Sequence, residues 1–252
     1  MARESGLRTA DDPVKTTKLI AVLSAAFFAA LSGHAQSFEN LNLEQANPVI
    51  DPSGPYYPLD VTAASALPDW TAYLGSVQQT DVIQNAVSTG QASVVIFGPD
   101  YPAAGSSPGF YPGTIDGNYS VLLQAGADPI TSALEGASIA QYGTVPLAAQ
   151  SLEFKAWETP FTEFSVSFDG NTLSPLVLGS GANYTLYGVN ISSYDGDSGT
   201  LQFSALFVNP GVSWLGLDDI KFSTEAVPEP SIVALSAIGG LLFGARKWFA
   251  RR

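Results

Sequence analysis

Apolar residues recur at every second position in several stretches of the chain, and this period limits the fold more than any other feature. In SLEFKAW (151–157), Leu152, Phe154 and Ala156 share one side of an extended strand. EFSVSFDGN (163–171) and TLQFSALFV (200–208) repeat the pattern. The chain lacks a sustained helical period, and Gly, Pro, Asn or Asp bound most of these stretches. The sequence therefore predicts an all-β fold, an antiparallel jelly-roll β-sandwich.

Five further stretches extend the strand pattern across the chain. They are ASVVIFGPD (92–100), NYSVLLQAG (118–126), ASIAQYG (137–143), NYTLYGVNIS (183–192) and LGLDDIKFS (215–223). Between the first two, residues 98–118 are rich in Gly, Pro and Tyr. We expect a long surface loop there, because proline cannot donate to a strand ladder.

The charge of the chain is unevenly distributed. The segment 36–230 holds 20 of the 23 acidic residues but only two of the ten basic ones, Lys155 and Lys221, which gives it a formal charge of −18. Binding to a polyphosphate requires clustered cations. The composition therefore excludes nucleic acid as a partner and disfavours anionic lipid.

The residue types that are missing exclude several kinds of active site. The chain has no cysteine, its one histidine is His34, and the segment 36–230 contains no arginine. Serine–histidine triads, zinc centres and arginine clamps cannot be built there. Carboxylate chemistry remains, and a glycoside hydrolase needs two acids. Because no acid lies in a distinctive motif, we assign no catalytic residue and predict a non-enzymatic protein, with a carboxylate-dependent glycoside hydrolase as an alternative.

The N-terminal residues have the order of a secretory signal. Lys15 and Lys18 precede the uncharged segment 19–31, and Gly33 and Ala35 supply small residues at the positions that signal peptidase accepts. We predict that residues 1–35 are a signal peptide cleaved after Ala35. An uncleaved N-terminal anchor is the alternative.

The C-terminal residues combine a short apolar segment with positive charge. Residues 232–245 would rise about 21 Å as a helix, against a hydrocarbon core of about 30 Å. Four basic residues follow, which places the C-terminus in the cytoplasm and the acidic segment outside. They are Arg246, Lys247, Arg251 and Arg252. We therefore predict a short transmembrane helix.

The residues before this helix carry a resemblance to a known sorting signal. Val227, Pro228, Glu229 and Pro230, followed by the apolar segment and the arginine-rich end, resemble the PEP-CTERM signal of exported bacterial proteins. The resemblance implies processing by an exosortase and delivery to the cell surface, outer envelope or extracellular matrix of a Gram-negative-type bacterium. It divides the chain into a signal peptide (1–35), a β-sandwich domain (36–226) and a sorting signal (227–252). An ordinary C-terminal anchor is the alternative.

A second resemblance concerns the domain itself. SFENLNLE (37–44), LPDWTAY (67–73) and LGLDDIKFS (215–223) are similar to segments of galactose-binding-like jelly rolls, which include carbohydrate-binding modules. The resemblance implies that the first and last strands pair and that a structural calcium ion lies nearby. Its ligands would be Glu39 with Asp218 or Asp219; the alternative is that these acids face solvent.

Aromatic side chains are the remaining candidates for ligand binding, since sugar rings stack on flat aromatic faces. Trp157 lies on the side of its strand opposite Leu152, and Tyr101 and Tyr111 lie in the long loop. The alternative is that these rings fill the core. The leading hypothesis is an exported envelope or matrix protein associated with exopolysaccharide, and a carbohydrate-binding module with a defined sugar site is the first alternative.

Overall fold

The computed structural model describes residues 36–87, 90–101, 111, 113–128, 131–160, 162–207 and 213–227, which belong to a compact unit spanning Gln36–Arg252. The predicted cleavage site, most of the sorting motif and the membrane-topology charges lie outside these residues: Ala35, Pro228, Glu229, Pro230, Arg246, Lys247, Arg251 and Arg252. Val227 is described and is buried. Within the described ranges, no helix is long and apolar enough to cross a membrane.

The all-β prediction is confirmed. The described part of the chain contains one short helix, α1 (Ala63–Ala66), one 3₁₀ helix (Ser192–Tyr194) and sixteen strands. The strands are β1 (Asp60–Thr62), β2 (Thr71–Leu74), β3 (Val77–Gln79), β4 (Asp81–Gln84), β5 (Ser93–Phe97), β6 (Ser120–Gln124), β7 (Gly126–Ala127), β8 (Leu134–Glu135), β9 (Ala137–Thr144), β10 (Ser151–Glu158), β11 (Glu163–Phe168), β12 (Asn171–Leu173), β13 (Leu176–Ser180), β14 (Thr185–Asn190), β15 (Ser198–Leu206) and β16 (Trp214–Ser223).

Two sheets pack face to face as a sandwich. The large sheet has the strand order β1-β4-β5-β6-β16-β10-β14-β13, and the small sheet has the order β12-β11-β15-β9-β2-β3. Strands β7 and β8 form a separate two-stranded ribbon. The pair β4–β5 is parallel and the other described strand pairs are antiparallel.

The alternating residues of the sequence form the core between the sheets. Leu152, Phe154 and Ala156 of β10 are fully buried, as are Leu201 and Phe203 of β15. A one-residue shift of register would expose all of them, so burial fixes the pairing of these strands. A second, smaller cluster covers the outer side of the large sheet, over β5 and β6.

The last strand lies in the middle of the large sheet rather than beside the first. β16 pairs with β6 and β10, whereas β1 pairs with β4. Residues 37–44, which were expected to form the first strand, lie in no named strand of the described structure, so the expected pairing of first and last strands is wrong. The segment after Gln36 runs irregularly beside β16, where Ile220 donates its N–H to the Leu41 carbonyl and Phe38 lies 5.4 Å from Phe222, centroid to centroid.

One edge of the large sheet and one edge of the small sheet lie on the same side of the molecule. Strand β3 is the outermost strand of the small sheet, and β1 and β4 are outermost in the large sheet. The β7–β8 ribbon approaches the same side, because the Glu135 carboxylate lies against Gly75, in the β2–β3 turn, with no room for a Cβ atom there. This arrangement leaves a cleft between the edges of the two sheets.

Candidate functional site

The cleft between the sheet edges has a volume of about 450 Å³. Strands β3, β4 and β5, the residues before β1 and the β7–β8 ribbon all contribute to its lining. The apolar lining comes from both sheets and includes Leu74, Val77, Val82 and Val94. The polar lining includes Tyr56, Asp60, Gln78, Gln79, Thr80, Asp81, Gln91, Ser93, Asp128, Thr131 and Glu135. We refer to this space as the edge cleft.

Asp81 lines the edge cleft and has a second carboxyl group, that of Asp51, beside it. Burial, and then a hydrogen bond to the Asp51 carboxyl group, raise the pKa of Asp81. The pKa of Asp51 is lowered, chiefly because the Ser53 hydroxyl and backbone N–H donate to it at 2.5 and 2.7 Å. Two carboxyl groups can hydrogen-bond to each other only while one carries a proton. The shifts favour the protonated form of Asp81 and the ionised form of Asp51.

A second pair of acids lies on the β7–β8 ribbon. Burial, and then a hydrogen bond to Asp128, raise the pKa of Glu135. Asp128 in turn accepts hydrogen bonds from the backbone N–H and the hydroxyl of Thr131. The ribbon therefore presents to the cleft a carboxyl group that holds its proton more tightly than an exposed glutamate does.

The edge cleft also contains a buried polar atom without a partner. Ser93, which lines the cleft, is 5% exposed, and its Oγ has no hydrogen-bond partner within the described structure. Most buried hydroxyls are hydrogen-bonded, because desolvating one without compensation costs about 1–3 kcal/mol. Asp60 differs, since its buried carboxylate accepts the N–H of Tyr56.

No basic side chain lines the edge cleft. In the described ranges, the lysines are Lys155 and Lys221. Lys155 donates to Asp116 and lies 3.0 Å from Asp219, and Lys221 lies 3.4 Å from Glu153. The acids of the cleft therefore have no lysine beside them to neutralise their charge.

The predicted calcium ligands lie elsewhere and are not brought together. Glu39 accepts the Ser37 hydroxyl at 2.5 Å, and its backbone exchanges two hydrogen bonds with the side chain of Gln141. Glu44, rather than Glu39, lies with Asp116, Asp218 and Asp219 around a separate space of about 200 Å³.

The acids around this second space already have partners. Asp218 accepts the Ser120 hydroxyl at 2.5 Å and the Asp116 N–H at 2.9 Å, and burial raises its pKa to about 6. The Lys155 ammonium supplies the positive charge beside Asp116 and Asp219. Among the residues described, no group of three or more acidic side chains is arranged to hold a metal ion. The arrangement of these acids therefore does not fit the predicted calcium ion.

The predicted stacking residues pack against one another on the outer side of the large sheet. Tyr111 is 5% exposed, and its ring centroid lies 4.6 Å from that of Trp214 and 5.1 Å from that of Trp157. Tyr101 lies 4.5 Å from Phe97. Trp157 points away from the main core, as the sequence predicts, but its ring is half-buried beside Tyr111. Because the Tyr111 ring is buried, the structure gives it a packing role rather than an exposed binding face.

The residues of the edge cleft escape prediction from the sequence because none lies in a motif. They come from positions between Asp51 and Glu135, and the sheet edges bring them together. The sequence contains one local indication of the site. Asp60 and Asp81 lie within strands, from which aspartate is depleted, and such placement indicates a special role.

Comparisons with known proteins show no family for this chain. No family model matches the chain, and no curated protein matches it. Among solved structures, it is similar to the enzymatically active domain of tailspike protein 4 of bacteriophage CBA120, with 14% identity, a TM-score of 0.32 and coverage of 62% of this chain and 19% of that one. It is also similar to a glycoside hydrolase family 43 arabinoxylan arabinofuranohydrolase from Bacillus subtilis, solved with cellotetraose, with 13% identity, a TM-score of 0.33 and coverage of 71% and 33%.

These comparisons correct one prediction. Both proteins are named as enzymes, so the prediction that the chain is not an enzyme is contradicted and is withdrawn. The chain spans only 19% and 33% of the two proteins, and the likeness assigns neither activity to it. Nothing in the comparisons bears on the PEP-CTERM signal, which stays a prediction.

Proposed function

We propose that this protein is an exported envelope or matrix protein that binds an oligosaccharide segment of a polysaccharide in the edge cleft. The observation that supports the proposal best is the combination of apolar and polar side chains around a space of about 450 Å³. This volume lies within the range of about 300–1,000 Å³ that small-molecule sites occupy.

The chemistry of the cleft lining fits a sugar. A pyranose ring presents C–H groups on its faces, and Val77 and Leu74 offer an apolar surface to them. Its hydroxyls need both acceptors and donors. Asp81 and Glu135 supply acceptors, while the amide of Gln78 and the hydroxyl of Ser93 supply both. An anionic ligand would meet these acids without a compensating cation.

Binding is tested by calorimetry on the full chain with a panel of neutral, anionic and amine-bearing oligosaccharides. We expect saturable binding of at least one uncharged or amine-bearing oligosaccharide, weakened at least fivefold by Ser93→Ala. The matched control is Ser167→Ala on β11, at the far side of the small sheet from β3, which should leave binding unchanged. A panel in which no oligosaccharide binds contradicts the proposal.

Hydrolysis of the bound sugar is a second candidate, favoured by one observation. The pKa of Asp81 is raised while that of its neighbour Asp51 is lowered, and two carboxyl groups with pKa values shifted apart are suited to different roles in acid catalysis. If the cleft hydrolyses its ligand, Asp81→Asn abolishes release of reducing ends and retains binding. Release that is unchanged in Asp81→Asn excludes Asp81 as the acid.

Export is tested by the intact mass of the protein recovered from its native cells. We expect a chain that begins at Gln36 and has lost residues C-terminal to the sorting motif. Gln36 accepts the N–H of Thr144, and Phe38 packs on Phe222, so a cut within these residues would remove contacts of the fold. Recovery of the unprocessed chain from the cytosol contradicts the export proposal.

A further inference from the structure

We infer that the edge cleft selects sugars with a protonated amine, so that its preferred ligand is an oligosaccharide of 2-amino sugars whose amino groups are free. The inference rests on the proposed function and names the ligand class of the same cleft. Four acids line the space, Asp60, Asp81, Asp128 and Glu135, and the lining has no lysine or arginine.

The surroundings of Asp81 and Glu135 indicate that the cleft lacks a positive charge. Each has a second carboxyl group beside it, Asp51 and Asp128 respectively. Neighbouring carboxyl groups oppose each other's ionisation, and the lining contains no lysine or arginine to offset this. The ammonium group of a ligand can supply that charge.

Ser93 provides a second and independent observation. Its side chain is nine-tenths buried and lines the cleft, and its Oγ has no partner. Rotation about its χ1 bond carries the hydroxyl between staggered positions. A primary ammonium has three N–H donors and needs three acceptors. The hydroxyl oxygen of Ser93 with two carboxylate oxygens supplies that number.

The alternatives within the sugar class fit less well. An acidic sugar places a carboxylate against the acids of the cleft. An N-acetylated sugar replaces the ammonium by an amide, whose carbonyl oxygen is an acceptor and repels the same carboxylates. A bare metal ion is not favoured, because no group of three acidic side chains in the described ranges is arranged to hold one.

The test compares two oligomers of the same backbone. Calorimetry on the full chain measures the affinity for a β-1,4-linked glucosamine tetramer and for its fully N-acetylated form, at a pH at which the free amine is protonated. We expect the glucosamine tetramer to bind at least tenfold more tightly. Tetralysine, which has the amines without the pyranose rings, should bind at least tenfold more weakly than the glucosamine tetramer.

A variant that removes one negative charge tests whether Glu135 causes the preference for the free amine. Glu135→Gln should weaken the glucosamine tetramer at least threefold and leave the N-acetylated form unchanged. Glu163→Gln is the matched control: it removes the same charge from an exposed residue on β11, and it should change neither affinity. Thermal melting of both variants confirms that each is folded.

Four results would overturn the inference. Equal affinity for the two oligomers removes the selectivity and leaves the oligosaccharide proposal standing, whereas the absence of binding by either tetramer and by the wider panel removes both. Equal loss in Glu135→Gln and Glu163→Gln shows attraction to the acidic surface at large. Tetralysine binding as tightly as the glucosamine tetramer shows that the cleft recognises charge alone.

Discussion

At the scale of single residues, Ser93 and Ser120 differ in what surrounds their hydroxyls. They lie on neighbouring strands, β5 and β6, and both are buried. The Ser120 hydroxyl donates to Asp218 and accepts the N–H of Ile115, whereas the Ser93 hydroxyl has no partner. A protein that keeps an uncompensated polar atom at the lining of a cleft gives up stability there, as binding sites often do.

This contrast predicts opposite effects of the same substitution. Ser93→Ala should raise the free energy of unfolding by about 1 kcal/mol, because it removes a buried hydroxyl that lacks a hydrogen bond. Ser120→Ala should lower it by about 1–3 kcal/mol, because Asp218 and Ile115 lose their partner. Urea unfolding of the two variants and the parent measures both values. A loss of stability in Ser93→Ala would show that its hydroxyl has a partner in solution.

The buried carboxyl group of Asp218 predicts a dependence of stability on pH. Burial raises its pKa from an ordinary 3.8 to about 6, so the folded chain takes up this proton at a higher pH than the unfolded chain does. Folding is therefore favoured as pH falls through about 6 toward about 4, by up to about 3 kcal/mol. Lys155 lowers the pKa of Asp116, so the loss of that ion pair begins below this window.

Urea unfolding at about pH 7.5 and about pH 4.5 measures the effect. The increase at the lower pH should be smaller in Asp218→Asn than in the parent. Part of it should remain in the variant, because the pKa values of Asp81 and Glu135 are also raised. An increase of the same size in both chains would assign the proton to other groups.

At the scale of elements, alternating strands make the contacts between the sheets. Phe203 of β15 is fully buried, and its ring lies 5.1 Å from Phe154 of β10 and 6.3 Å from Trp70. Phe203→Ala should therefore lower the free energy of unfolding by about 3–5 kcal/mol, as cavity-forming substitutions of phenylalanine do. Tyr142→Ala, on β9 of the same sheet, should cost less than about 1 kcal/mol, since Tyr142 is 59% exposed. Comparable losses in the two variants would contradict the assignment of sheet faces.

The sequence predicts the elements where each strand has a side facing solvent. SLEFKAW, EFSVSF and TLQFSALFV became β10, β11 and β15 because period-two patterning records one buried side and one exposed side. It is less informative over β5 and β6, where every residue of SVVIF and SVLLQ is buried. Those continuous apolar runs indicate a sheet covered on both sides, and the ring of Tyr111 in the long loop supplies that cover.

The candidate site could not be predicted in the same way. The strands that frame the edge cleft have three to five residues, too few for a period to be recognised, and two of them carry the acids Asp60 and Asp81. The acid pairs depend on which loops meet at the sheet edges, and no local pattern in the sequence encodes that meeting. The resemblance to sugar-binding jelly rolls placed ligand contacts on aromatic rings that the structure packs against neighbouring rings.

At the scale of the whole molecule, the repulsion among the acidic residues exceeds the stabilisation that the ion pairs provide. The segment 36–230 has 20 acids and two lysines, and the described ion pairs are those of Lys155 and Lys221. Exposed ion pairs contribute about 0–1 kcal/mol each. Repulsion among the remaining acids acts over the Debye length, which is about 30 Å at 0.01 M salt, comparable to the width of a domain. The fold is therefore held together by its apolar core against its own charge.

This balance predicts that added salt stabilises the protein. Raising sodium chloride from about 0.01 M to about 0.1 M shortens the Debye length to about 10 Å. The salt weakens both the ion pairs and the repulsion among the acids. The acids of the segment 36–230 outnumber its lysines tenfold, so the loss of repulsion is the larger effect. The urea midpoint should therefore rise at neutral pH. At about pH 4, where many carboxylates are protonated, the same addition should have a smaller effect. A midpoint that falls with salt at neutral pH would mean that the ion pairs of Lys155 and Lys221 contribute more than the repulsion they offset.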